Sequence, residues 1–134
     1  MCYKEILNNL GGEKNMEQMI FIQTGTGVDL HGQDVNQAAE RAVINAIYTN
    51  SMPGIQNSLP DQNLNNMKVN VKLGIPRDIE HLDEEKIKKL VPYGTVTVEK
   101  LEGGLATTSG IYLSDQEDKN DLMYIVNAVV EVGY

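Results

Sequence analysis

The chain has 134 residues, 41% of them hydrophobic, with no tryptophan, one phenylalanine and a net charge of −8. That is enough for one domain with an aliphatic core, and the acidic balance excludes a nucleic-acid backbone or an anionic membrane surface as main partner, since either needs a basic patch. The single cysteine, Cys2, excludes a disulfide framework and a thiolate metal cluster, and no apolar run approaches the length of a membrane span.

The opening fifteen residues, MCYKEILNNLGGEKN, differ in character from the rest. Gly11-Gly12-Glu13-Lys14-Asn15 ahead of Met16 can back-translate to a purine-rich ribosome-binding sequence before a start codon. Residues 1–15 are therefore expected to be a non-native leader, and 16–134 a single α+β domain. No basic-then-apolar secretory leader opens the chain, so a cytoplasmic location is expected.

MIFIQT (19–24), apolar and bounded by glycine, predicts a strand. Asp34 is placed to cap a helix starting at Val35. Val35, Ala38, Ala39, Ala42, Val43, Ala46 and Ile47 then recur at helical spacing, as one stripe of mostly small residues suited to close packing on a sheet. From Asn50 to Asn66 proline, glycine, serine and asparagine break every period and predict a long loop. MKVNVKLGI (67–75) alternates as a strand, with Met67, Val69, Val71, Leu73 and Ile75 on one side. Asp83 caps a short helix, EEKIKKL, whose charge order suits the helix dipole. TVTVEKL (95–101) predicts a strand, Gly103-Gly104 a turn, and LATTSGIYL (105–113) its hairpin partner. An acidic loop, SDQEDKND, leads to LMYIVNAVVEV (122–132), which is apolar on nearly both faces and reads as a central strand.

The order β-α-β-α-β-β-β predicts an α+β fold: a single mixed sheet with helices on one face. The other face would carry Lys68, Asn70, Lys72, Asn127 and Glu131. Glu131 inside an apolar strand needs a partner such as Lys72, or an interface. Small size and one-sided helices predict a homo-oligomer, a trimer first.

The stretch GTGVDLHGQD (25–34) carries the candidate chemistry. Gly25 and Gly27 are expected to turn tightly and let the backbone approach a ligand, their amides receiving an oxyanion or phosphate near a helix N-terminus. Asp29 and His31, two apart in an extended segment, project to one side. They would chelate a divalent metal or act as an acid–base pair. Gly32 lets the chain turn into the helix. The structural alternative is that glycines make the turn, aspartates cap it and the histidine bonds a backbone carbonyl.

Residues 18 to 134 resemble a small family of conserved hypothetical proteins, bacterial and plant, marked by G-x-G-x-D-x-H-G, present here as Gly25, Gly27, Asp29, His31 and Gly32. The motif loop, with the alanine-rich helix after it, also resembles the metal-binding opening of 2-C-methyl-D-erythritol 2,4-cyclodiphosphate synthase. That resemblance implies a precedent for a divalent metal, usually zinc, on Asp29 and His31. The synthase family's third ligand, a histidine just before the helix, has no counterpart here, so the synthase activity is not implied. The element order looks like the chorismate-mutase-like trimeric folds, which implies sites between subunits.

The leading functional expectation is an enzyme acting on a small anionic metabolite. Asp29 and His31 would hold zinc, manganese or magnesium, or do acid–base work. Gly25, Gly27 and Gly32 would contact the ligand, Lys72 would neutralise it, and the 50–66 loop would shield the site. The alternative is a non-catalytic oligomeric small-molecule-binding protein. A third idea, ring-opening amide hydrolysis by Lys72 and Ser109, requires those side chains within hydrogen-bond reach. His81, the only other histidine, reads as an exposed loop residue, and Asp34 as a cap rather than a ligand.

Overall fold

A computed structural model of the chain describes residues 16–134; the leader expected at 1–15 lies outside the described residues. The fold is a single mixed sheet of five strands with a few helices, of the α+β class. The strands are β1 (Met19–Asp29), β2 (Lys68–Ile75), β3 (Thr95–Glu102), β4 (Leu105–Thr108) and β5 (Leu122–Gly133). The helices are α1 (Val35–Tyr48), α2 (Ile55–Ser58) and α3 (Glu84–Lys88), with short 3₁₀ turns between. No helix among the described residues is long and apolar enough to cross a membrane.

The expected central strand is central. β5 pairs antiparallel with β1 along one side and with β2 and β4 along the other, and β2 pairs parallel with β3. The alternation in 67–75 is realised: Met67, Val69, Val71, Leu73 and Ile75 are buried. With Val126, Ala128, Val130 and Val132 of β5 they form the sheet side of the core. The helical stripe supplies the other side, since Val35, Ala38, Ala39, Ala42, Val43 and Ala46 are all buried. Asp34 caps α1 by accepting the N–H groups of Asn36 and Gln37, and Asp83 caps α3 through Glu85 and Lys86, each cap contributing about 1 kcal/mol.

Three expectations need correction. The first strand does not stop at Thr24 but runs through both motif glycines to Asp29. Residues 50–66 are not wholly irregular, because α2 and two 3₁₀ turns lie within them. Residues 105–113 do not form a hairpin with β3. β4 is only Leu105–Thr108 and pairs with β5, Leu105 opposite Ile125. The physical reason is an available edge: β2 pairs along β5 only as far as Asn127, and β4 continues the ladder beyond it. To get there the chain crosses the end of β2 at Gly74. A side chain on Gly104 would overlap the Ile125 carbonyl, and Gly104 has φ +63, a conformation glycine adopts without strain.

Candidate functional site

Gly25 and Gly27 lie two apart in an extended strand, so they point to the same face. That face packs on α1. A Cβ on Gly25 would overlap the Ala42 carbonyl oxygen and the Ala46 nitrogen; one on Gly27 would overlap the Ala38 carbonyl oxygen and the Ala42 nitrogen. The two glycines and the alanine stripe thus bring helix and strand backbones into direct contact. The expectation of a tight ligand-approaching turn is corrected at both positions. Thr26 donates its N–H outward to Asn45 Oδ1 at 3.0 Å. Strand alternation therefore turns the Gly25 and Gly27 amides inward to β5, opposite Ala128 and Val126, where they cannot receive an oxyanion.

At the end of β1, Asp29 is buried. Its Oδ2 accepts the Asp34 N–H at 2.8 Å, and its Oδ1 lies 3.4 Å from Arg41 Nη1. The same Nη1 donates to the Val28 carbonyl at 2.6 Å, and Nη2 to Gln37 Oε1. Asp29 thereby ties the strand end to the start and second turn of α1. The first amides of α1 are taken by Asp34 Oδ1, so this helix start is already capped.

His31 goes elsewhere. Its Nδ1 lies 2.8 Å from Asp118 Oδ2, and its Nε2 has no hydrogen-bond partner among the described residues. The Asp118 side chain is 1% exposed and that of His31 22%. Asp118 also accepts the N–H of Gly32 at 2.7 Å, of Leu113 at 2.9 Å, and the Gln33 side-chain amide at 3.0 Å. Burial alone would raise this carboxyl, but the Leu113 and Gly32 amides, with His31 and Gln33, outweigh it and hold it well below the usual carboxylate range.

Gly32 turns the chain toward the helix with φ +92, as expected. Gln33 follows at φ 49, an unusual conformation for a residue with a side chain. Its buried amide is held at both ends: Nε2 donates to Leu122 O at 2.7 Å as well as to Asp118, and Oε1 accepts the Lys119 N–H at 2.8 Å. Asp118 and Gln33 were not singled out from the sequence.

The motif loop and the acidic loop, clamped together in this way, form the walls of an open cleft of about 1000 Å³. Asp29, His31, Gly32 and Arg41 lie on one side, and Asp115, Glu117 and Lys119 on the other. The remaining candidates are not brought here. Lys72 pairs with Glu131 at 3.4 Å on the sheet face away from the helices. Ser109 donates to the carbonyls of Ile111 and Asp121, so neither member of the Lys72–Ser109 pair faces the other. His81 is exposed beside Glu80.

Asp29 and His31 are held by different partners and do not by themselves make a metal's ligand set. Among the described residues no group of three or more His, Cys, Asp or Glu side chains is placed to hold an ion. A metal here would need donors from outside them.

A family model described as a conserved hypothetical protein, Lin0512_fam, matches residues 19–132. No curated protein matches the sequence significantly. Among solved structures the chain is similar to the crystal structure of an FtsZ-like protein of unknown function from Nostoc punctiforme PCC 73102. The TM-score is 0.73 at 34% identity, covering 86% of this chain and 93% of that one.

Proposed function

The chain belongs to the conserved hypothetical protein family Lin0512_fam, and we propose that its cleft binds a small acid on which His31 does acid–base chemistry. One observation carries the reading: a solvent-reached imidazole is bonded through Nδ1 to a buried carboxylate. A carboxylate that accepts Nδ1–H fixes the neutral tautomer and leaves the Nε2 lone pair free to take a proton. The imidazolium so formed is stabilised by the same carboxylate. Asp118, not Asp29, is the partner in this reading, and Asp29 positions Arg41.

Arg41, half exposed at the cleft, and Lys119 across from it supply the cations for an anionic group. The lining holds four carboxylates, Asp29, Asp34, Asp115 and Glu117, against these two cations. Asp29 is offset by Arg41, and Asp34 is engaged as a cap. The surplus penalises a doubly charged phosphate more than a singly charged carboxylate.

Small carboxylic acids and phosphorylated compounds titrated into ¹⁵N-labelled protein test this. The expected result is amide shifts at Gly32, Arg41 and Lys119 with carboxylates, weakened by Arg41→Ala. His31→Gln is expected to keep binding and lose conversion. Shifts confined to other parts of the molecule would sink the proposal. A ligand bound and returned unchanged by the wild type would favour the non-catalytic binding protein instead. Zinc, manganese and magnesium added to the same samples test the metal expected at the motif, read from the His31 ring resonances.

A further inference from the structure

Four strands lie side by side with helices on one face only, and the pairing register defines what the other face carries. Val28, Ile125 and Leu105 stand in one row across it, and Ile22, Glu131, Asn70 and Thr97 in another. Ile22 is 60% exposed and Leu105 55%, and Leu101 on the same face is exposed too. Between them lies a buried polar group. Asn70 donates through Nδ2 to Glu99 Oε1 at 2.8 Å and to Glu131 Oε1 at 2.9 Å, and Thr97 donates to Asn70 Oδ1 at 2.7 Å. Lys72 lies 3.4 Å from Glu131. Glu99 Oε2 is buried and has no hydrogen-bond partner among the described residues, a state that native structures rarely leave unexplained.

We propose that this helix-free sheet face is the contact between copies of this chain. The charge pattern selects that occupant. The chain carries −8, so two copies repel wherever their average surfaces meet. On this face the charged side chains of the described strands are Lys68, Lys72, Glu99 and Glu131, two of each sign, which sum to zero. A second copy therefore meets apolar side chains and balanced charge here, and it can bring a donor to Glu99 Oε2. A nucleic acid, an anionic membrane or a strongly basic partner would each need a one-signed face. Exposed apolar side chains beside a buried acceptor with no partner among the described residues make this face one that gains by being covered.

The test is mass in solution, by light scattering at micromolar concentration. Wild type is expected at a multiple of the chain mass, with the trimer first. Ile22→Glu combined with Leu105→Glu is expected to give monomer. Tyr48→Glu, at a residue 76% exposed at the end of α1, is expected to keep the wild-type mass. A monomeric wild type, or a double variant with wild-type mass, overturns the proposal. Should the double variant fail to fold by circular dichroism, hydroxyl-radical labelling of the wild type decides. On dilution Ile22 and Leu105 become more reactive while Tyr48 does not, and the absence of that rise overturns it equally.

Discussion

Nδ1 of His31 and Oδ2 of Asp118 lie 2.8 Å apart across 87 residues of chain. The contact joins the loop after β1 to the loop before β5, and it is one of several that the same carboxylate makes. Asp118 is at once the orienting partner of the cleft histidine and the clamp that holds the cleft's two walls together. Chemistry and local stability at this site are therefore not separable by deleting the residue, and pH is the better instrument.

The Asp118 carboxyl is held well below the usual range despite its burial, by the Leu113 and Gly32 amides with His31 and Gln33. A lowered folded pKa means that the stabilisation is complete above the unfolded value, about 4. It is lost as pH falls below that value toward the folded one. Asp118→Asn should therefore unfold at lower urea than wild type near neutral pH, and the gap should narrow as pH drops below about 4. Midpoints measured at several pH values check this. A gap that stays constant into acid would show that the ionised form contributes nothing.

Gly27 should tolerate no side chain. Its missing Cβ is where the α1 backbone sits, at Ala38 and Ala42. Backbone atoms on both sides cannot yield as a flexible side chain would. Gly27→Ala is expected to cost about 3 kcal/mol. Gly54→Ala, where nothing lies within 4 Å of the added carbon, should stay within about 0.5 kcal/mol of wild type. Thermal melting of the two variants side by side is the measurement, and equal losses would remove the close-packing role given to the motif glycines.

Much of this architecture was legible in the residues, and what was not has a common cause. The period of two in 67–75 and of 3.6 in 35–47 are local signals, and the core follows them. The two glycines carry a signal that fits packing as well as a turn, and the structure realises the packing. Spaced by two, they lie on one strand face, and Ala38, Ala42 and Ala46, spaced by four, lie on one helix face, so the match pointed to packing as much as to a turn. β4's choice of β5 over β3 depends on where β2 stops, which no local pattern states. Asp118 sits in SDQEDKND among residues that are nearly all exposed. Only its burial distinguishes it, and burial is a property of the assembled fold.

Tyr124 offers a check on the core next to the site. It stands opposite Asp29 in the β1–β5 register, is buried, and donates its hydroxyl to Asp78 Oδ2 at 2.8 Å. Burial first, then the hydrogen bond and the charge of Asp78, push its phenol up to about 12, with Arg77 pulling slightly the other way. Ionisation would place a second negative charge against Asp78. For a group whose folded pKa is raised, the stabilisation is complete below the unfolded value of about 10. It declines as pH rises from there toward about 12. Stability of wild type should therefore fall over that alkaline interval, and Tyr124→Phe, which has no phenol to ionise, should fall less. Tyrosinate absorbance followed alongside urea unfolding at rising pH measures both effects. Parallel losses in the two proteins, or a Tyr124 that ionises with an ordinary phenol, would show that the Asp78 hydrogen bond is not maintained.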